Sequence, residues 1–217
     1  TTGSITAVSA PAPSTTNLSG TGWGALGYRA DSTASTATYA VTTSAANITP
    51  AYNVGNTSTT VNLYAVYSRT VTLYHGKAKA SNSTPTQYYN TNGNVVSSIS
   101  APAPSITNLS GWSALGYRAD TTAGTATYAV TSTTNISPAY NVTKTLYAVY
   151  SRNLTMAYNG NGSTGGSTAS HTSPQYYNTN GGITSVTFTT SANGFTKTGH
   201  TFSKWANDSA SGAQVAA

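Results

Sequence analysis

Side chains able to carry acid–base, nucleophilic or metal chemistry are few in this chain of 217 residues. It has no cysteine, its carboxylate side chains are Asp31, Asp120 and Asp208, and its histidines are His75, His171 and His200. A disulfide framework and a thiolate-ligated metal are excluded, and three aspartates leave little for general acid–base catalysis or carboxylate–metal coordination. The histidines do not occupy equivalent points of the internal repeat described below. No pair has the close spacing of a helical metal motif, so they read as solvated or packing side chains. Serine and threonine make up about a third of the residues, but a nucleophile needs an oriented base, and abundance supplies none. No catalytic residue, metal or cofactor is expected, and the chain does not read as an enzyme.

Other chemistries have more to work with. Arg29 and Asp31, repeated as Arg118 and Asp120, lie two apart on strand-like sequence, where side chains share a face, so each pair is expected to form a local ion pair. Ten Asn-x-Ser/Thr sequons occur, and those at Asn17, Asn47, Asn108 and Asn135 recur with the repeat, which makes them candidate glycosylation sites on a secreted chain. A Lys–Asn isopeptide cross-link is not expected, because lysines do not recur at equivalent positions. Sixteen tyrosines could stack on sugar rings, but at strand spacing such residues more often pack across strands. Glycan binding is therefore the alternative reading.

Only 6% of residues are charged, against about a quarter in an average soluble domain. The formal charge of +6 comes from nine dispersed basic residues, whereas a nucleic-acid surface needs dense cationic clustering, so no nucleic-acid partner is expected. No apolar run approaches the ~20 residues of a membrane-spanning helix, and the start of the chain lacks a secretion-signal pattern. A soluble or fibrous chain without a membrane span is expected. The abundance of aromatic and aliphatic residues argues against disorder.

The elements that must position these residues come in copies. Ala-Pro-Ala-Pro-Ser at 10–14 recurs at 101–105, and Ala-Leu-Gly-Tyr-Arg-Ala-Asp at 25–31 recurs at 114–120. Leu-Tyr-Ala-Val-Tyr-Ser-Arg at 63–69 returns at 146–152, and Tyr-Tyr-Asn-Thr-Asn-Gly at 88–93 returns at 176–181. The period is about 88 residues, the signature of an array. Cutting after each Ser-Arg gives units of 1–69, lacking an opening strand, 70–152, complete, and 153–217, lacking a closing strand.

Each unit reads as strand, with β-branched and aromatic residues alternating with polar ones between Gly, Asn and Pro. Over Val61 to Tyr74 the odd positions Val61, Leu63, Ala65, Tyr67, Val71 and Leu73 share one face, and no Gly or Pro interrupts the passage from one unit to the next. This predicts a short, stiff, extended connection instead of a flexible linker. Helix signals are thin.

In the third unit, Gly199-His200-Thr201-Phe202-Ser203-Lys204-Trp205 resembles the Gly-aromatic-x-Phe-x-Gly-Trp signature of internalin-type B repeats, also called Listeria–Bacteroides repeats. Gly111-Trp112-Ser113-Ala114-Leu115-Gly116-Tyr117 and Gly22-Trp23-Gly24-Ala25-Leu26-Gly27-Tyr28 fall on the same positions. The closing strand of that family, Leu-Tyr-Ala-x-Trp, is similar to Leu63–Tyr67 and Leu146–Tyr150, with Tyr67 and Tyr150 in the place of Trp. The resemblance implies small, mostly β, ubiquitin-like grasp units in tandem on secreted bacterial or archaeal surface proteins. Trp23, Tyr28 and Tyr67, then Trp112, Tyr117 and Tyr150, are the candidate core anchors, with His200, Phe202 and Trp205 carrying the motif in the third unit.

The expected architecture is mainly β: tandem small β-rich, β-grasp-like repeats arranged end to end as a rod. The expected role is an extracellular cell-surface stalk or filament subunit that mediates attachment or assembly. It would self-associate through neighbouring repeats or chains along weakly charged strand edges. A carbohydrate-binding surface module, with glycans as partners, is the rival.

Overall fold

Two copies of one antiparallel sheet dominate the computed structural model, which describes residues 6–50, 60–78, 81–207 and 214–215. The first copy uses β1 (Val8–Ala10), β2 (Gly24–Arg29), β3 (Tyr39–Ala40), β4 (Ala46–Ile48) and β5 (Tyr64–Thr70). After β6 (Thr72–Tyr74) come β7 (Thr86–Asn90) and β8 (Val95–Val96). Strands run in the order β3-β2-β5-β7-β8, and β1 pairs separately with β4. The second copy comprises β9 (Ile99–Ala101), β10 (Ser113–Arg118), β11 (Tyr128–Ala129), β12 (Thr134–Ile136) and β13 (Thr145–Met156). Past β14 (Gly165–Gly166), β15 (His171–Asn178) and β16 (Gly182–Ile183) complete the order β11-β10-β13-β15-β16, with β9 on β12. The last part of the chain adds β17 (Phe195–Thr196), β18 (Trp205–Ala206) and β19 (Gln214–Val215), which form two short pairs, β14 with β17 and β18 with β19. The fold is mainly β, as expected. Among the described residues the helical elements are single 3-10 turns at Thr16–Leu18 and Gly76–Ala78.

The repeated Ala-Leu-Gly-Tyr-Arg explains itself in the sheet. β2 and β10 each carry a bulge just before glycine, at Ala25/Gly27 and Ala114/Gly116. Both glycines have φ near +130° (130° and 133°), and a Cβ on either would sit 2.0 Å from the carbonyl oxygen of Tyr39 or Tyr128 on the neighbouring strand. Only glycine fits so close a backbone approach.

The loop after each bulged strand is tied down identically. Arg29 donates from Nε and Nη2 to the two carboxylate oxygens of Asp31 at 2.8 and 2.7 Å, and Arg118 does the same to Asp120 at 2.8 Å each. These are the expected ion pairs, in bidentate form. Asn90 and Asn178, both fully buried, donate from their amides to the carbonyls of Asp31 and Thr33, and of Asp120 and Thr122. This is the structural role of the repeated Tyr-Tyr-Asn-Thr-Asn-Gly.

Backbone pairing runs straight through the points where the sequence period was cut. β5 ends at Thr70 and pairs with β7, so the first sheet draws strands from both sides of residue 69. β13 crosses residue 152 and pairs with β15 over its second half. From β5 the chain passes Val71 and continues as β6, which joins the second sheet in parallel with the start of β13, Leu73 opposite Leu146. The connection is short and extended, as expected.

That donated segment changes the second core. Val71, Leu73 and Ala78 are buried in one cluster with Trp112, Tyr117, Leu146 and Tyr150. Full burial of a Val or Leu side chain contributes about 1.5–3 kcal/mol. The first repeat has two smaller clusters, Leu18, Trp23, Tyr67 and Tyr89 in one and Ala10, Val41 and Ile48 in the other. Accordingly Leu63, Ala65 and Tyr28 are half-buried where Leu146, Ala148 and Tyr117 are fully buried. From Thr179 to Asn207 no residue is buried.

Candidate functional site

Strand alternation forces a charge inward at the end of β5. Tyr67, Arg69, Val71, Leu73 and His75 are all buried while the residues between them are not, so Arg69, 3% exposed, shares the apolar face. A buried guanidinium needs partners, and among the described residues no carboxylate pairs with it. Arg69 lies 4.4 Å over the ring of Trp23 and donates from Nε to Gln87 at 2.9 Å. Nη1 donates to the carbonyls of Thr21 and Val142, and Nη2 to that of Ala139 at 3.0 Å. Burial lowers its pKa to about 10, which leaves it protonated at neutral pH.

Ala139 and Val142 belong to Pro138-Ala139-Tyr140-Asn141-Val142, between β12 and β13 of the second repeat, and the first repeat grips this segment throughout. Gln87 Nε2 donates to the Pro138 carbonyl at 2.8 Å and Trp23 Nε1 to the Tyr140 carbonyl at 2.7 Å. The Tyr140 ring stacks on Tyr89 at 4.9 Å and 11°, and Tyr89 in turn stacks on Tyr67. Four carbonyls and one ring are thus held by a cradle of Trp23, Arg69, Gln87 and Tyr89. The bonds from Arg69 are charge-assisted and contribute about 1.5–3 kcal/mol each, those from Gln87 and Trp23 about 0.5–1.5, and cation–π contact adds to them.

The second repeat builds the same cradle from Trp112, Arg152, Gln175 and Tyr177. Arg152 lies 4.6 Å over Trp112 and donates from Nε to Gln175 at 2.8 Å. Gln175 donates to the Thr184 carbonyl, as Gln87 does to Ser97. Tyr177 stacks on Tyr150 at 5.7 Å and meets Trp112 edge-on. The difference lies in the occupant. Arg152, Gln175 and Tyr177 are half-buried where Arg69, Gln87 and Tyr89 are buried, and among the described residues no partner meets Nη1 or Nη2 of Arg152 or Nε1 of Trp112.

The predicted anchors fall in and beside these cradles. Trp23, Tyr67, Trp112, Tyr117 and Tyr150 are buried and Tyr28 is half-buried. Their hydroxyls tie down the repeated Ala-Pro-Ala-Pro-Ser: Tyr28 and Tyr117 donate to the carbonyls of Pro11 and Pro102, and Tyr67 and Tyr150 to those of Ser14 and Ser105. Burial pushes the phenols of Tyr117 and Tyr150 far above their usual range.

The third-repeat motif behaves differently. His200 is exposed with Nδ1 at 2.9 Å from the Thr198 carbonyl, while Phe202, 43% exposed, packs edge-on against half-buried Trp205. Trp205 also contacts Tyr158 at 4.5 Å and donates to the Ser191 carbonyl. An open cleft is lined there by Tyr158, Phe202, Trp205, Lys197 and Asn161.

Asn17, Asn47, Asn108 and Asn135 are all exposed. Asp208 and the sequon at Asn56 lie outside the described residues. His75 is buried edge-on against Tyr117. Exposed His171 bonds Ser191, and both Asp31 and Asp120 are committed to arginines elsewhere. Among the described residues no cluster of three His, Cys, Asp or Glu could hold a metal, and no helix is long and apolar enough to cross a membrane.

Arg69, Gln87, Arg152 and Gln175 were not singled out by sequence reasoning, nor was the segment the first cradle holds. A signal existed: Pro-Ala-Tyr-Asn-Val stands at both 50–54 and 138–142. No protein-family model, curated protein or solved structure matches the chain. The described residues hold two copies of one antiparallel sheet, linked by β6 and by the gripped segment Pro138–Val142.

Proposed function

We propose that the chain is an extracellular structural repeat protein, a cell-surface stalk or filament subunit that mediates attachment or assembly. The observation that carries this reading is the joint between repeats. β6 extends the second sheet, and the first cradle clasps Pro138–Val142, so the two repeats share both a sheet and a polar lock. Such a joint resists bending and transmits tension, which a stalk or fibre requires. In this reading the repeats are β-grasp-like units of the internalin-type B kind, set end to end as a rod, and the scarcity of charge favours packing and backbone pairing between units. The exposed sequon asparagines suit a secreted, glycosylated surface. Brief protease treatment of intact cells tests the location: loss of the chain from undamaged cells is expected, and full protection would refute surface display.

The cleft at Tyr158, Phe202 and Trp205 favours a second reading, a carbohydrate-binding surface module, because an exposed aromatic beside polar groups suits a sugar ring. Saturable binding on a glycan array, lost in Phe202→Ala, would establish it. A purely structural chain binds no glycan.

A further inference from the structure

The two cradles have the same parts, and among the described residues only the first holds a peptide segment. What fills the first is a five-residue segment, Pro-Ala-Tyr-Asn-Val, recognised through four backbone carbonyls and the tyrosine ring. The second presents the corresponding donors, Arg152, Trp112 and Gln175, and the corresponding stacking surface, Tyr177, at matching separations. The chain carries the same five residues once more, at 50–54. The stretch at 50–54 thus repeats the sequence that the first cradle holds.

We infer that the Trp112–Arg152–Gln175–Tyr177 cradle is a docking site for the Pro50-Ala51-Tyr52-Asn53-Val54 segment of a second copy of this chain. The inference rests on the reading of the chain as a structural repeat and names its assembly contact. The connection following the segment favours an intermolecular reach: eight residues separate Val54 from Leu63, against three between Val142 and Leu146, and five extra residues extend at most roughly 18 Å. Receptor and ligand lie on different repeats, so the contact is heterologous. Association through such a contact continues as an open chain instead of closing as a dimer. Recognition through backbone carbonyls would fix the direction of the docked segment, and the pocket for the tyrosine would supply most of the selectivity.

Sedimentation velocity on the full chain and two variants tests this. Wild type is expected to grow beyond dimers with concentration. Arg152→Ala, which spoils the receptor, and Tyr52→Ala, which spoils the ligand, should each weaken self-association more than about tenfold. Mixing the two variants should then restore a single 1:1 complex that does not extend, since each supplies the half the other lacks, and this complementation also shows that both variants are folded. Wild type that stays monomeric at millimolar concentration, variants that associate like wild type, or a mixture that forms no complex would each overturn the inference. A monomeric chain still displayed on cells would remove this contact and leave the stalk reading standing.

Discussion

Replacing Arg69 by alanine should damage the protein far more than the same change at Arg152, and the gap measures the joint between repeats. Arg69→Ala removes the stack on Trp23 and leaves the carbonyls of Ala139 and Val142 and the side chain of Gln87 without their buried donor. Each buried acceptor left without its donor costs about 1–3 kcal/mol, and relief of the guanidinium's own desolvation offsets part of that sum, so a net loss of about 3–5 kcal/mol is expected. Arg152 makes one protein hydrogen bond, to Gln175, and covers Trp112 while half-exposed. Its removal should cost about 1–1.5 kcal/mol, one hydrogen bond and a partly exposed cation–π contact. Urea unfolding followed by tryptophan fluorescence reads both, because Trp23 and Trp112 sit in the respective cradles. The expected difference is about 1.5–4 kcal/mol. Equal losses, within about 0.5 kcal/mol, would refute the argument, since the segment gripped by Arg69 would then contribute nothing beyond what an unfilled cradle has.

Four further outcomes follow from the same structure. Leu73→Ala should cost about 2–5 kcal/mol and shift Trp112 fluorescence, because the donated strand belongs to the second core. Gly116→Ala, whose Cβ would sit 2.0 Å from the Tyr128 carbonyl at φ 133°, should prevent β10 from pairing with β11; native melting of that variant would contradict the bulge argument. Stability should fall as pH rises above about 10, the ordinary tyrosine value. Burial raises the folded pKa of Tyr117 and Tyr150, so the unfolded chain loses protons first and stability present below that pH is lost through the folded range. Absorbance-monitored alkaline titration of wild type against Tyr117→Phe and Tyr150→Phe checks the sign. On the acid side, hydrogen bonds from Arg29 and Arg118 hold Asp31 and Asp120 well below the usual carboxylate range. Their contribution is present above about pH 4 and lost as pH falls through the folded values; exposed as they are, it should be small and salt-sensitive.

Much of this was legible in the sequence because local rules govern it. Strand alternation placed Tyr67, Val71 and Leu73 on one face, the repeat revealed the duplicated sheet, and the two-residue spacing paired Arg29 with Asp31. Arg69 was not legible. A charged residue at the end of an apolar stripe reads as a boundary, and its burial makes sense only with carbonyls supplied some seventy residues later. The same non-locality hid the path of the sheets: the sequence period can be cut after Ser-Arg, but β7 and β15 return across that point to pair with the strands before it. The third-repeat motif shows a further limit. Spacing brought Phe202 onto Trp205, yet nothing in the pattern said that this cluster would stay half-open.

Electron microscopy of the native assembly, with a label specific for this chain, tests the central claim most directly. Label is expected along a surface stalk or filament whose units repeat end to end. Dispersed single molecules, with no labelled fibre or surface projection, would contradict it.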